Sequence, residues 1–283
     1  MKNDIGVNME VIEIIKEAFL FPSKDYRTLL IYVLLSVLAC GFSFIGILVY
    51  VLGFIIPECF LWGGMAVIIS MLIGWVMYGY LISVTKSGID LDDEVPEFEW
   101  WDNFITGFNN FIVAIVYFII PALIVVFVGF LTNIPGNIML VATEIVSQTQ
   151  NVYMGASPLI AYDAIAYAIV NLAVSLAITL TIALVLFVIF SFLQTMAEAR
   201  LANTGSLSEA LNVFEAAKDI ARIGVAKVIV LILLVCVVIG VIQMVLSVIF
   251  NVLPILSILS IIITPYLVFF AHRAIGLLYS DIA

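Results

Sequence analysis

Positive charge is scarce in this chain: ten Lys and Arg and a single His stand against twenty Asp and Glu, for a net charge of −10 over 283 residues. That balance excludes nucleic acid as a partner and a polybasic lipid anchor, since both need clustered Lys and Arg. Charge of either sign is thin, at 11% of residues, where soluble domains carry roughly 25%. A soluble fold is excluded with it. Cysteine occurs only as Cys40, Cys59 and Cys236. Their spacing matches no metal site or redox pair and their inferred depths disfavour a disulfide, so they read as small apolar lining residues. No Asn-x-Ser/Thr sequon occurs. The first 28 residues mix Glu10, Glu13 and Glu17 with lysines and lack a short apolar core ahead of a small-residue cleavage site. No signal peptide is expected.

Hydrophobic residues fill the chain instead, at 65% of the total and a mean hydropathy of +1.29. Long apolar runs cover about 29–56, 59–85, 108–131, 164–193, 225–250 and 254–278. In hydrocarbon every backbone polar group must be paired internally, so these runs are expected as helices despite their many Ile and Val residues. All ten basic residues fall on one side of that map: Lys2, Lys16, Lys24 and Arg27 before the first span, Lys86 after the second, Arg200, Lys218, Arg222 and Lys227 between the fourth and fifth, and Arg273 closing the sixth. Because basic residues near span ends are retained in the cytoplasm, the asymmetry predicts both termini there. The expected fold class is all-α: a single polytopic domain over 1–283 in the cell membrane, an integral helical bundle of six transmembrane helices in three hairpins.

The connections are unequal. On the outer side two hairpins turn within a few residues, at Pro57 and around Asn251 to Pro254. The remaining outer segment, 132–163, carries Glu144 and Asp163, and its stretch from Asn137 to Val152 predicts a short helix lying on the bundle with Ile138, Val141, Ile145 and Val152 near one face. On the inner side each hairpin is preceded by amphipathic spacing that predicts interfacial helices over about 9–21, 96–108 and 206–222. In the first, Val11, Ile15, Ala18 and Phe19 oppose Glu10, Glu13, Lys16 and Glu17 before Pro22. Pro96 is expected to open the second, which carries Phe98, Trp101, Ile105, Phe108 and Ile112 along one stripe. Ser206 and Glu209 are spaced as a capping box for the third. Descending spans end in a basic residue shortly before Gly88, Gly205 or Gly276, each expected as a helix stop. The three units read either as copies of one pattern or as any basic-terminated hairpins.

One stretch carries a family resemblance. From Gly79 to Phe108, the elements Gly79–Tyr80, Lys86, the acidic residues Asp90 to Glu94, then Pro96, Glu97, Phe98 and Trp101 resemble the hallmark of an archaeal membrane family catalogued as domain of unknown function 4013. The likeness extends more loosely through Ala197 to Ala202. It implies an archaeal, often methanogen, origin and a multi-spanning fold, and supplies no activity.

Candidate chemistry is sparse. The densest polar feature is Asp90, Asp92, Asp93, Glu94, Glu97, Glu99 and Asp102. As a calcium loop it fails, because Val95 stands where the turn needs Gly and Trp101 where a bidentate Glu is required. A solvated connector is one reading. The other is a docking point for a basic protein partner or a divalent cation, on a loop expected to project from the surface. Trp100 and Trp101 read as interfacial anchors. Asn171, Gln194 and Gln243 either cross-link helices or line an intramembrane polar pocket. Glu198 and Arg200 are expected to pair with each other, and His272 reads as an interfacial residue. Small residues predict close helix packing along Ser36, Ala39, Ser43 and Gly46, along Ser70 and Gly74, and along Ala173, Ala177 and Thr181. Pro121 and Pro265 predict kinks. No catalytic, cofactor or metal constellation is identified. The leading functional reading is a noncatalytic membrane component that organises lipid or a protein partner through its inner face. A transporter or channel for a small or apolar solute comes second, and an intramembrane lipid-modifying enzyme third.

Overall fold

The computed structural model describes residues 9–153 and 159–283; Lys2 lies outside them, as do the side chains of Val152 and Asp163. Among the described residues the chain is helical with no strand: α1 (Val11–Leu20), α2 (Tyr26–Leu52), α3 (Glu58–Ile89), α4 (Trp100–Leu131), α5 (Ile134–Tyr153), α6 (Leu159–Thr204), α7 (Leu207–Ala210), α8 (Val213–Ile223), α9 (Val225–Val252) and α10 (Ser260–Tyr279). Six stretches are long and apolar enough to cross a membrane, namely Tyr26–Leu52, Glu58–Ile89, Trp100–Leu131, Ile165–Thr204, Val225–Val252 and Pro254–Tyr279. They coincide with the six apolar runs of the sequence. Several are longer than the hydrocarbon layer. At 1.5 Å per residue the 46-residue α6 is about 69 Å long and the 32-residue α3 and α4 about 48 Å each, against a hydrocarbon thickness of roughly 30 Å.

The helices form two compact units, one made of 1–114 with 193–283 and the other of 115–192. In the larger unit α2 and α3 pack as a tight hairpin through small residues. Ser70 donates to the Ala39 carbonyl at 2.8 Å and shares a 2.6 Å hydrogen bond with Ser43. A Cβ added at Gly46 would press on Val67, and one at Gly63 would overlap the Tyr50 backbone. These two spans therefore meet along the stripe expected from the sequence, except that Gly74 has nothing within 4 Å. The hydrophobic core of this unit is Phe21, Leu29, Tyr32, Tyr80, Leu81, Val84 and Phe269. Burial is concentrated where the basic residues are: in α3 the residues from Gly79 to Ile89 are almost all buried, as are most from Phe269 to Tyr279 in α10. The middles of the spans present Leu34, Leu38, Ile45, Leu72, Leu233 and Val241 outward. In the smaller unit Ser175 of α6 donates to the Thr132 carbonyl at 2.8 Å and accepts from Asn137 of α5 at 2.7 Å, and Thr132 meets Thr179 at 3.0 Å.

Several local expectations are corrected. No interfacial helix occupies 96–108: residues 95–99 form no regular secondary structure, and α4 starts at Trp100 and runs unbroken into its span. Tertiary contacts override the Pro96 start signal, because Val95 and Phe98 pack against the core and the Tyr80 hydroxyl donates to the Pro96 carbonyl at 3.1 Å. The expected 206–222 helix is two, α7 and α8. Ser206 bonds Ser208 instead of capping, Glu209 is drawn to Arg200, and Asn212 caps α8 by accepting from the Glu215 N–H at 3.2 Å. Gly205 ends α6 at φ +66 as expected, but Gly88 and Gly276 lie inside helices. There they let α3 and α10 touch: a Cβ on Gly88 would come within 2.9 Å of the Gly276 Cα. The packed face of α6 is Ala168, Ser175 and Thr179, whereas Ala173, Ala177 and Thr181 are exposed. The helix expected over Asn137 to Val152 does form, as α5, with Ile138 and Ile145 exposed instead of covered.

Candidate functional site

The polar chemistry of the larger unit converges on Arg273. It sits on α10 among Phe269, Phe270, Ala274 and Leu277, all buried, and is itself fully buried. A guanidinium in such a place must have its charge and donors met, or its desolvation would be prohibitive. Its Nη2 pairs with Glu17 Oε1 of α1 at 2.6 Å, and its Nη1 donates to Ser87 Oγ at 3.1 Å and to the Asp92 carbonyl at 2.7 Å. Its carbon centre lies 4.3 Å from the Phe21 ring centroid, a cation–π contact. One side chain thus joins α1, α3, α10 and the acidic segment. Glu17, assigned by the sequence to the polar face of α1, is turned toward this charge, and Ile14, Ala18 and Phe21 carry the burial.

The acidic segment is held at several points along its backbone. Leu91 leaves α3 in the left-handed region, φ +54, and the Asp92 N–H returns to the Ser87 carbonyl at 2.9 Å, which aims the Asp92 carbonyl at Arg273. Lys24 pairs with Asp93 at 2.9 Å and holds its carboxyl below the usual range. Phe98 stacks on Tyr80 with centroids 4.6 Å apart. The segment is therefore clamped, not a loop projecting freely. The Asp90, Asp92, Glu94 and Glu97 side chains remain exposed above that fixed backbone. Trp100 and Trp101 stand exposed on the first turn of α4, Trp101 stacked on Phe104. Next to them is a polar cavity of about 310 Å³ lined by Asp25, Arg27, Thr28, Ile31, Glu97, Phe98 and Trp100.

A second cluster centres on Asp219 of α8, which is buried. Arg200 binds it at 2.9 Å and Glu209 at 2.6 Å, Arg222 approaches it at 3.2 Å, and the Tyr279 hydroxyl donates to it at 2.8 Å. Lys227 pairs with Asp281 at 2.5 Å. The expected Glu198–Arg200 pair does not form, since residues two apart on a helix point in different directions. Glu198 instead accepts from Gln194 at 3.0 Å. His272 Nδ1 lies 3.2 Å from the Thr85 hydroxyl, bridging α10 and α3. Of the expected polar pocket, Gln194 is engaged with Glu198, Gln243 is exposed on α9, and Asn171 is half-buried in the smaller unit.

Six long apolar helices with a packed polar end define a multi-spanning helical membrane protein. Within that class the chain belongs to the family described as Protein of unknown function (DUF4013), whose model matches residues 62–251. No curated protein and no solved structure matches it. The stretch that carried the resemblance lies inside the match, and the fold gives its residues physical roles. A Cβ on Gly79 would overlap the Asn103 backbone, so Gly79 sets the α3–α4 crossing. Tyr80 and Phe98 anchor the non-helical strip after the acidic run. The Arg273 clamp was missed by the sequence reading. The available signal was a basic residue on the same helical face as Phe269, Phe270 and Leu277.

Proposed function

We propose that this protein is a noncatalytic membrane component that offers the acidic segment 90–97 to a basic protein partner on the cytoplasmic side. The observation that carries the reading is a row of exposed carboxylates, Asp90, Asp92 and Glu94, on a backbone clamped by Arg273 and Lys24. A preordered segment loses little conformational entropy on binding, and its charges steer an oppositely charged partner. The placement of the basic residues supports the cytoplasmic orientation of this face. Exposed charges are screened beyond roughly 8 Å at physiological salt, so binding should weaken steeply as salt rises. The test is the triple variant Asp90→Asn, Asp92→Asn, Glu94→Gln, which leaves Asp93 to its lysine. Partners cross-linked in native membranes should be lost or lose their salt dependence, with insertion and thermal stability unchanged. Recovery of the same partners with the same salt response would refute the docking role.

A second reading, passage or storage of an apolar solute, draws on a mainly apolar cavity of about 450 Å³ between α2, α3 and α10, lined by Tyr32, Cys40, Met77, Thr264 and Pro265. Solute-dependent protection of Cys40 from an apolar thiol reagent would favour it.

A further inference from the structure

We propose that the polar cavity where α2 and α4 begin binds the headgroup of a membrane lipid carrying both a phosphate and a primary amine. The cavity's position supports a headgroup. Tyr26 and Trp100 are the first residues of two membrane-crossing helices, so a site between them and the preceding polar residues lies at headgroup depth. Tyr26, Trp100 and Trp101 are all exposed there, and aromatic rings favour that layer. At about 310 Å³ the cavity is at the small end of ligand pockets, room for a headgroup rather than a whole lipid.

Its lining selects the chemistry. Arg27 is exposed and makes no ion pair among the described residues, and the same is true of Glu97, although both line this cavity. Asp25 is already committed: it accepts from the Arg27 backbone N–H at 2.9 Å and from the Thr28 hydroxyl, and the latter bond holds its carboxyl below the usual range. Two carboxylates and one guanidinium disfavour a simple anion. Phe98 is stacked on Tyr80, and the exposed Trp100 ring, 5.0 Å from it, favours a cation. A phosphate on the Arg27 fork and an ammonium between Glu97 and the Trp100 ring answer the two charges of the lining that make no ion pair among the described residues. A quaternary ammonium has no N–H to donate to Glu97, so the amine must keep an N–H, as the primary ammonium of an ethanolamine headgroup does. This inference shares Glu97 with the proposed docking segment but is tested separately from that reading, because Asp90, Asp92 and Glu94, which carry the docking role, do not line the cavity.

The test uses the full chain in nanodiscs of phosphatidylcholine doped equally with phosphatidylethanolamine and phosphatidylglycerol, with lipid retained after re-extraction quantified by mass spectrometry. The native protein should enrich phosphatidylethanolamine over both others. Glu97→Gln should lower that enrichment about tenfold, the loss of one charge-assisted bond, and Glu97→Lys should turn the preference toward phosphatidylglycerol. Arg27→Gln should remove enrichment of every phospholipid. Both side chains are exposed, so matched unfolding midpoints will show that the variants fold. Displacement by soluble glycerophosphoethanolamine would assign the site to a free ligand of this chemistry, and failure of displacement would assign it to the lipid. Equal retention of the three lipids by native protein, or an enrichment that neither Glu97 variant changes, would overturn the proposal.

Discussion

Arg273 shows how a residue of the rarest charge class becomes the joint of the larger unit. Its burial is tolerable because Glu17, Ser87, the Asp92 carbonyl and the Phe21 ring meet its charge and both terminal nitrogens, while its buried Nε has no hydrogen-bond partner among the described residues. Removing one partner from a buried pair costs about 3–5 kcal/mol, and the lower end applies here because the Glu17 side chain is 30% exposed. Arg273→Met should therefore lower stability in detergent by about that amount, and Arg273→Lys should rescue little of it, because an ammonium cannot span the same fork of acceptors. Denaturant unfolding checks both, and a stable Arg273→Lys protein would show that charge alone suffices. In the sequence Arg273 was legible as a topology marker. Its partners were not, because Glu17 and Asp92 lie far away in the chain and only the folded helices bring them together.

At the scale of the element, α4 separates pattern from packing. The apolar stripe of Phe98, Trp101, Ile105 and Phe108 was legible, but Pro96 as a start signal was overridden by the burial of Val95 and Phe98 and by the hydrogen bond from Tyr80. One uninterrupted helix puts Asn103, Gly107 and Asn110 on the buried face and Trp101, Ile105 and Phe108 on the exposed one. Spin labels scanned from 100 to 114 should show a single helical periodicity of accessibility with no phase break. A phase break near Phe108 would restore a separate interfacial helix. The closure of α3 against α10 was misread for a related reason: Gly88 and Gly276 look like helix stops in sequence, and only the helix crossing shows them to be contact points.

At the scale of the whole molecule, the six crossing helices were legible because hydropathy and length alone define them. The dense packing at the basic end was not legible. It arises where helices longer than the hydrocarbon thickness extend past it and pack on one another, and no local pattern announces that. The proposed docking role requires this end to face the cytoplasm, so the most direct measurement is two-sided labelling of single cysteines in a variant lacking Cys40, Cys59 and Cys236. Cysteines at Glu94 and Ser208, both exposed near the basic residues, should react with an impermeant reagent only after the membrane is permeabilised, whereas cysteines at Glu58 and Ile255, exposed at the opposite span ends, should react in intact cells. Labelling of Glu94 or Ser208 from outside would contradict the account.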